Sequence, residues 1–334
     1  MSRTRIGITL GDPGGIGSEV VAKSLRDLSR LPDAEFVIFG DPIVFRSEAA
    51  FQRLNLDRFA LSFRDNRVVR DDRVVRDPGS PRLAGRRGRP CRSGQPGCRG
   101  IPDKDNGAAS FRYFEDAVAA ARAKEIGAIV TAPISKKSWE LAGIPWRGHT
   151  EYLASLYPGA IMTFWSESLT VALFSHHLPL REALAGITKA KLAKFFRTLK
   201  DGLEAVSEGP HEYLVAGLNP HAGEDGLLGR EELDEIAPAV YEARESGIPV
   251  SGPFPPDVVF RSALGRPGKV VIALYHDQGL IPFKLAAFET GVNATLGMPF
   301  LRTSPDHGTA FDIVGKNLAD PRSMIAALRM ACRS

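Results

Sequence analysis

Arg5-Ile6-Gly7-Ile8-Thr9-Leu10 runs directly into Gly11-Asp12-Pro13-Gly14-Gly15-Ile16-Gly17-Ser18-Glu19, then into Val20-Val21-Ala22-Lys23-Ser24-Leu25. The first stretch reads as a buried strand and the last as an apolar-periodic helix, joined by a glycine-rich turn. The turn has two readings. It could cradle a phosphate at a helix N-terminus, or it could be a tight connection that only glycine permits. It does not match the dinucleotide fingerprint cleanly, and Pro13 removes one amide donor.

The same alternation continues along the chain. Strands are expected at 35–40, 128–133, 160–165, 169–174, 213–217 and 269–274. Helices are expected around 107–125, 136–142, 188–205 and 230–245. Strands alternating with helices predict an α/β fold with a largely parallel core sheet. Ligands in such folds gather beyond strand C-termini. The polar strings that begin at Gly11, Thr131, Asn219 and Tyr275 each follow an expected strand.

The chain has 334 residues, 43% of them hydrophobic and 25% charged, as a soluble globular protein of two lobes or domains requires. It has no apolar run of roughly 18 residues, so no membrane span is expected. Its first residues lack the apolar core of a secretory signal. Cys91, Cys98 and Cys332 form no disulfide framework, and a cytoplasmic location is expected. The formal charge of +4 is uneven. Residues 64–100 carry 11 Arg and 4 Asp, so the rest is mildly acidic. Within that segment Asn66–Asp71 is nearly repeated by Asp72–Asp77. Its Arg, Gly and Pro bias predicts a surface loop. A nucleic-acid-binding arm is the alternative, but aromatic residues for base stacking are missing.

Histidine is scarce, 7 in all, yet six lie in polar strings. These are Gly148-His149-Thr150-Glu151, His176-His177-Leu178-Pro179-Leu180, Asn219-Pro220-His221-Ala222-Gly223-Glu224, Tyr275-His276-Asp277-Gln278-Gly279 and Asp306-His307-Gly308-Thr309. The pattern points to a shared polar site built from loops. His177, His221 and His276 are the candidate metal ligands. All-imidazole ligation suits Zn²⁺, with Co²⁺ or Mg²⁺ as alternatives. Asp257 and Asp277 are candidates to orient those ligands; for Asp257 a helix N-cap is the bland alternative. His149, Thr150, Lys284, Asn293 and Arg302 supply donors for an anionic group.

Taken together, these strings resemble the 4-hydroxythreonine-4-phosphate dehydrogenase family of vitamin B6 biosynthesis. The resemblance runs from Gly7–Pro13 through Thr131–Lys136, Gly148–Glu151, His177–Leu180, Leu218–Glu224 and Tyr275–Pro282. It ends with Gly291–Gly297 and Arg302–Ala310, and omits roughly 45–105. It implies a three-layer α/β/α fold like that of isocitrate and isopropylmalate dehydrogenases. Two lobes, about 1–135 plus 290–334 and 136–289, would flank the site. It also implies a homodimer whose metal is held by His177 and His221 of one subunit and His276 of the other. His149, Thr150, Lys284, Asn293 and Arg302 would bind substrate, and the catalytic candidates Asp257 and Asp277 would maintain the site. His307, Gly308 and Asp312 would meet NAD, as in the adenosine loop of isopropylmalate dehydrogenases.

The implied reaction is oxidation of 4-phosphooxy-L-threonine by NAD. A metal would lower the pKa of the substrate hydroxyl, and loss of CO2 would yield 3-amino-2-oxopropyl phosphate. The alternatives are a dehydrogenase of D-threonate or D-erythronate 4-phosphate, one acting on an aromatic cis-diol, and, from another class, a nucleic-acid-binding protein. The chain departs from the family pattern at 64–100.

Overall fold

The computed structural model describes residues 4–28, 34–58, 60–64, 100–207 and 209–333. All but the ends of the Arg-rich segment, including the near-repeat, lie outside the described residues. The opening reading is met by strand β1 (Thr4–Thr9) and helix α1 (Gly17–Asp27). The order continues with β2 (Ala34–Phe39), α2 (Pro42–Phe51), β3 (Ala60–Arg64), α3 (Lys104–Arg122), β4 (Ala128–Thr131), α4 (Lys136–Leu141) and α5 (His149–Leu156). Then come β5 (Ile161–Trp165), β6 (Thr170–Leu173), α6 (Leu180–Ala185), α7 (Lys189–Glu204), β7 (Glu212–Ala216), α8 (Ala237–Glu245) and β8 (Val250–Phe254). The chain ends with α9 (Val259–Ala263), β9 (Lys269–Ala273), α10 (His276–Ala287), β10 (Val292–Leu296), β11 (Leu301–Pro305) and α11 (Arg322–Ala331). No helix among the described residues is long and apolar enough to cross a membrane.

The strands form one sheet in the order β3-β2-β1-β4-β11-β10-β5-β6-β9-β7-β8. Seven of its ten pairings are parallel, but β11–β10, β10–β5 and β5–β6 are antiparallel. The sheet is largely parallel, as expected, and reverses only in its middle. The link from β10 to β11 is too short for a crossover, which needs a dozen or more residues, so it must return antiparallel. One consequence concerns the polar strings. β1, β4 and β11 run one way and β6, β9 and β7 the other, so their C-terminal ends face opposite edges. The strings do not share one crest.

Side chains alternate across a strand, and the two faces of the sheet use that alternation differently. On one face a single apolar cluster spans the full width, from Phe36 and Ile38 of β2 through Ala294 of β10 to Val215 of β7 and Val250 of β8. Helices α1, α7, α8 and α11 cover it. The other face has two separate cores. One joins Val37, Phe39 and Ile129 to Phe111 and Phe114 of α3 and to Trp139. The second joins Met162, Phe164, Val171 and Leu173 to Leu280 and Phe283 of α10. Helices thus pack on both faces, giving the expected three layers. Between the two cores lie β11 and β10. There the register places Thr295 opposite Arg302 and Asn293 opposite Ser304, a polar strip.

Candidate active site

Arg302 is the centre of that strip. It is 3% exposed. Its Nε and Nη2 donate to Thr131 Oγ1 at the end of β4 (3.0 and 2.6 Å), and Nη2 also donates to His149 Nδ1 (3.0 Å). None of these partners is a carboxylate, and among the described residues Arg302 makes no ion pair. Burial pushes its pKa down to about 10, partly opposed by Glu151, so the guanidinium is still charged near neutrality. An unpaired buried cation costs several kcal/mol. An anionic ligand would supply the missing charge.

His149 opens α5 and lies against Phe114 (ring centroids 4.3 Å) and Trp139 (5.6 Å). Burial, and secondarily the charge of Arg302, hold it well below its usual pKa, so it is neutral. A guanidinium only donates. Nδ1 must therefore be the acceptor, and Nε2 carries the proton. That Nε2 is buried and has no partner among the described residues. The pocket thus offers a cation and a free N–H together. Thr150 follows on the same helix and is half-buried.

The three candidate metal ligands share one arrangement. His177 Nδ1 lies 2.8 Å from Glu151 Oε1, His221 Nδ1 lies 2.8 Å from Glu224 Oε2, and His276 Nδ1 lies 2.6 Å from Asp277 Oδ1. A carboxylate on Nδ1 fixes the tautomer and leaves the Nε2 lone pair for a metal. The Glu151 carboxylate is held down to about 2, chiefly by the bond from His177. This donor chemistry fits a divalent ion. The rings of His177 and His276 lie 5.6 Å apart in one chain, although the resemblance implied that they come from different subunits. Among the described residues, no three His, Cys, Asp or Glu side chains of one chain are grouped to hold a metal. Among the described residues His221 makes no ring contact with either of the other two.

His177 and His221 both have left-handed backbones, with φ of 49° and 53°. His221 belongs to a longer feature. Residues 221–225 all have φ between 45° and 84°, and four of them are not glycine. Each such residue costs roughly 1–2 kcal/mol. Asn-Pro-His-Ala-Gly-Glu thus encodes a left-handed turn that helical and strand periodicities do not reveal.

Lys284 lies about two turns along α10 from His276. Its Nζ is 3.7 Å from Asp306 Oδ2, just beyond β11. Helix α10 therefore connects the two edges of the sheet. Burial raises the pKa of Asp306, opposed chiefly by Lys284, and among the described residues neither its Oδ2 nor the buried Asn293 Oδ1 on β10 has a hydrogen-bond partner. In the next loop His307 Nδ1 lies 3.1 Å from the Gly308 carbonyl oxygen, while Gly308 and Asp312 differ in setting. Gly308 has open space where a Cβ would stand, and Asp312 lies on an exposed single turn, Phe311–Ile313.

The opening glycine turn packs against this loop. Ile16 N donates to the Thr309 carbonyl oxygen (3.1 Å), and a Cβ on Gly15 would lie 3.0 Å from Thr309. Asp12 N, Gly15 N and Gly14 N also already have partners within the protein. Of the two readings, the tight connection is therefore the one observed. Gly11 has φ +69°, and a Cβ there would come 2.2 Å from the Pro133 carbonyl oxygen.

Asp277 meets His276, as its proposed role requires. Asp257 is exposed, makes no hydrogen bond or ion pair among the described residues, and does not cap α9. Sequence reasoning assigned no role to Thr131, Glu151, Glu224 or Asp306. All four stand inside the quoted strings. A carboxylate two or three residues after a candidate histidine was the available signal for Glu151 and Glu224.

The fold and these residues define an α/β protein in which a buried guanidinium and a neutral imidazole lie beside a set of carboxylate-paired histidines. The family model for pyridoxal phosphate biosynthetic protein PdxA matches residues 33–331. The chain is 39% identical to the 4-hydroxythreonine-4-phosphate dehydrogenase of Desulforapulum autotrophicum, covering 99% of this chain and 95% of that one. It is 35% identical to a putative D-threonate 4-phosphate dehydrogenase of Halalkalibacterium halodurans, covering 98% and 96%. Among solved structures it resembles the 4-hydroxythreonine-4-phosphate dehydrogenase of Klebsiella pneumoniae. That likeness has TM-score 0.75 and 35% identity, and covers 99% of this chain and 98% of the other. The chain belongs to the PdxA family.

Proposed function

We propose that this protein is an NAD-dependent dehydrogenase that oxidises and decarboxylates 4-phosphooxy-L-threonine, in the cytoplasm, for pyridoxal 5'-phosphate synthesis. The observation that carries the reading is the buried Arg302 guanidinium, which lacks a counter-ion and lies beside a neutral His149 whose N–H is unpaired. This pair would hold an anionic group of the substrate, with Thr150, Lys284 and Asn293 completing the contacts. His307, Gly308 and Asp312 would bind the nicotinamide cofactor. The two lobes would be about 1–135 plus 290–334 and 136–289, although the first of the two cores also takes in Trp139, Ile144 and Leu153, and the polar strip would floor the cleft between them.

His177 and His276 of one chain would hold a divalent ion, Zn²⁺ by its ligand set, with His221 supplied by a partner copy. When bound, such an ion supplies Lewis acidity to the substrate hydroxyl and carbonyl oxygens. Asp277 and Glu151 orient the imidazoles, and Asp257, solvent-facing in one chain, would act in the assembled dimer. A homodimer also accounts for an apolar stripe on α10. Ile281, Leu285 and Phe288 are 60%, 85% and 68% exposed at helical spacing, on the helix that begins with His276.

The test is NADH formation on a panel of phosphorylated four-carbon acids, with and without added Zn²⁺ and a chelator. Turnover of 4-phosphooxy-L-threonine above D-threonate and D-erythronate 4-phosphates is expected, with loss on chelation. Preference for a sugar-acid phosphate would move the protein to the activity named for the Halalkalibacterium relative. NADH formation from none of them would remove the reading.

A further inference from the structure

We propose that Glu232 is a positioning residue for His221: its buried carboxylate holds the left-handed turn in the shape that presents the imidazole. This rests on the reading of His221 as a metal ligand. Glu232 is 3% exposed and begins a wide helical turn, Glu232–Ile236, ahead of α8. Its Oε1 accepts from Leu218 N (2.7 Å) and Asn219 N (2.8 Å), and its Oε2 accepts from Asn219 Nδ2 (2.9 Å). Leu218 and Asn219 are the entry to the turn, immediately before Pro220 and His221. Oε2 also reaches the turn itself, since a Cβ on Gly223 would stand 2.8 Å from it. At the exit of the turn, a Cβ on Gly229 would strike Asn219 Nδ2 at 2.2 Å.

Asn219 Nδ2 also donates to Glu231 Oε2 (2.7 Å), His221 Nδ1 lies 2.8 Å from Glu224 Oε2, and the turn's own backbone bonds are local: Ala222 N to Asn219 O, Leu227 N to Glu224 O and Leu228 N to Gly223 O, each 3.1 Å. These cannot fix a run of left-handed residues relative to the sheet. The buried Glu232 carboxylate does so by collecting three N–H donors at the mouth of β7, and of the two backbone N–H groups among them Glu231 takes neither. Strained backbone persists only where its surroundings over-determine it, and Glu232 supplies that determination. Among the described residues its carboxylate bonds to Leu218 and Asn219 and not to His221, so its influence runs through the turn.

Glu232→Gln keeps the size of the side chain but turns one acceptor oxygen into a donor facing N–H groups. The experiment measures Zn²⁺ affinity of the intact protein by competition with a chromogenic chelator. It compares wild type, Glu232→Gln, His221→Ala and the double variant. Glu232→Gln is expected to bind Zn²⁺ about 10–100-fold more weakly, the range seen when a group supporting a metal ligand is lost. In the His221→Ala background the same change should have no further effect. Wild-type affinity in Glu232→Gln, or an equal loss with His221 already gone, overturns the proposal and leaves the metal reading intact. A wild type that binds Zn²⁺ no better than His221→Ala removes both. A merely structural role would lower the melting temperature and leave affinity unchanged. If Glu232→Gln does not fold, Glu232→Asp, which keeps the charge but shortens the reach, is measured against the same outcomes.

Discussion

Arg302 and His149 are buried and bonded to each other within one chain, whereas His177, His221 and His276 stand partly or fully exposed with only Nδ1 engaged. The two regions meet on α5, where His149 serves the first and Glu151 the second. On the proposed reading, the anion site is finished on folding: His149 packs against Phe114 and Trp139, and among the described residues Arg302 has no counter-ion. The histidine set is unfinished, because one chain brings two rings together and leaves the third apart. On that reading, substrate charge is recognised by a single chain and the metal chemistry needs a second copy.

The sharpest way to break this contrast is subunit mixing. Each of His177→Ala, His221→Ala and His276→Ala should cut activity by roughly 10³ or more, about 4 kcal/mol in barrier terms. Mixing His177→Ala with His221→Ala, after subunit exchange, should restore about half the wild-type activity per heterodimer. Mixing His177→Ala with His276→Ala should restore none. The opposite result would return His276 to the partner subunit, as the resemblance implied. Failure of both mixtures despite proven exchange would place all three ligands in one chain.

The anion pocket predicts a smaller effect confined to substrate. Arg302→Met should lower kcat/KM by roughly 10²–10³, as truncation of a buried charge pair does. The protein should still fold, because removal of a lone buried cation offsets the bonds lost to Thr131 and His149. Zn²⁺ affinity should not change. Unaltered kcat/KM in a folded Arg302→Met protein would show that the pocket does not hold substrate.

The smallest effect concerns stability against pH. His149 is neutral in the folded protein, with its pKa lowered by burial and then by Arg302. The unfolded chain takes up that proton first, near pH 6.5. The stabilising contribution is therefore complete above about pH 6.5 and is lost as pH falls below it, by up to about 1.4 kcal/mol per pH unit. Melting temperatures of wild type and His149→Gln between pH 7 and pH 5 measure it. Wild type should fall more steeply, and parallel curves would show that His149 is not held neutral.

Much of this was legible in the residues. The β1–turn–α1 passage was readable because a buried strand, a glycine turn and an amphipathic helix each leave a local signature. The short strands β3, β8, β10 and β11 were not: Arg302 and Asn293 lie on central strands whose polar side chains break apolar alternation. The histidine strings announced a site, but not which side chains meet. The left-handed turn at 221–225 was hidden because its non-glycine residues sit in a conformation their own preferences disfavour, held there by Glu232 and close packing.

By itself, then, the order of residues determined the α/β class, the family and the candidate ligands, because those follow from local periodicity and from motifs read in sequence. Only the tertiary structure decided that the sheet reverses at β10 and that Arg302 is buried with no counter-ion among the described residues. It alone paired His177 with His276 and set His221 apart. Those outcomes depend on strand register, burial and the approach of side chains more than a hundred positions apart, which no local pattern encodes.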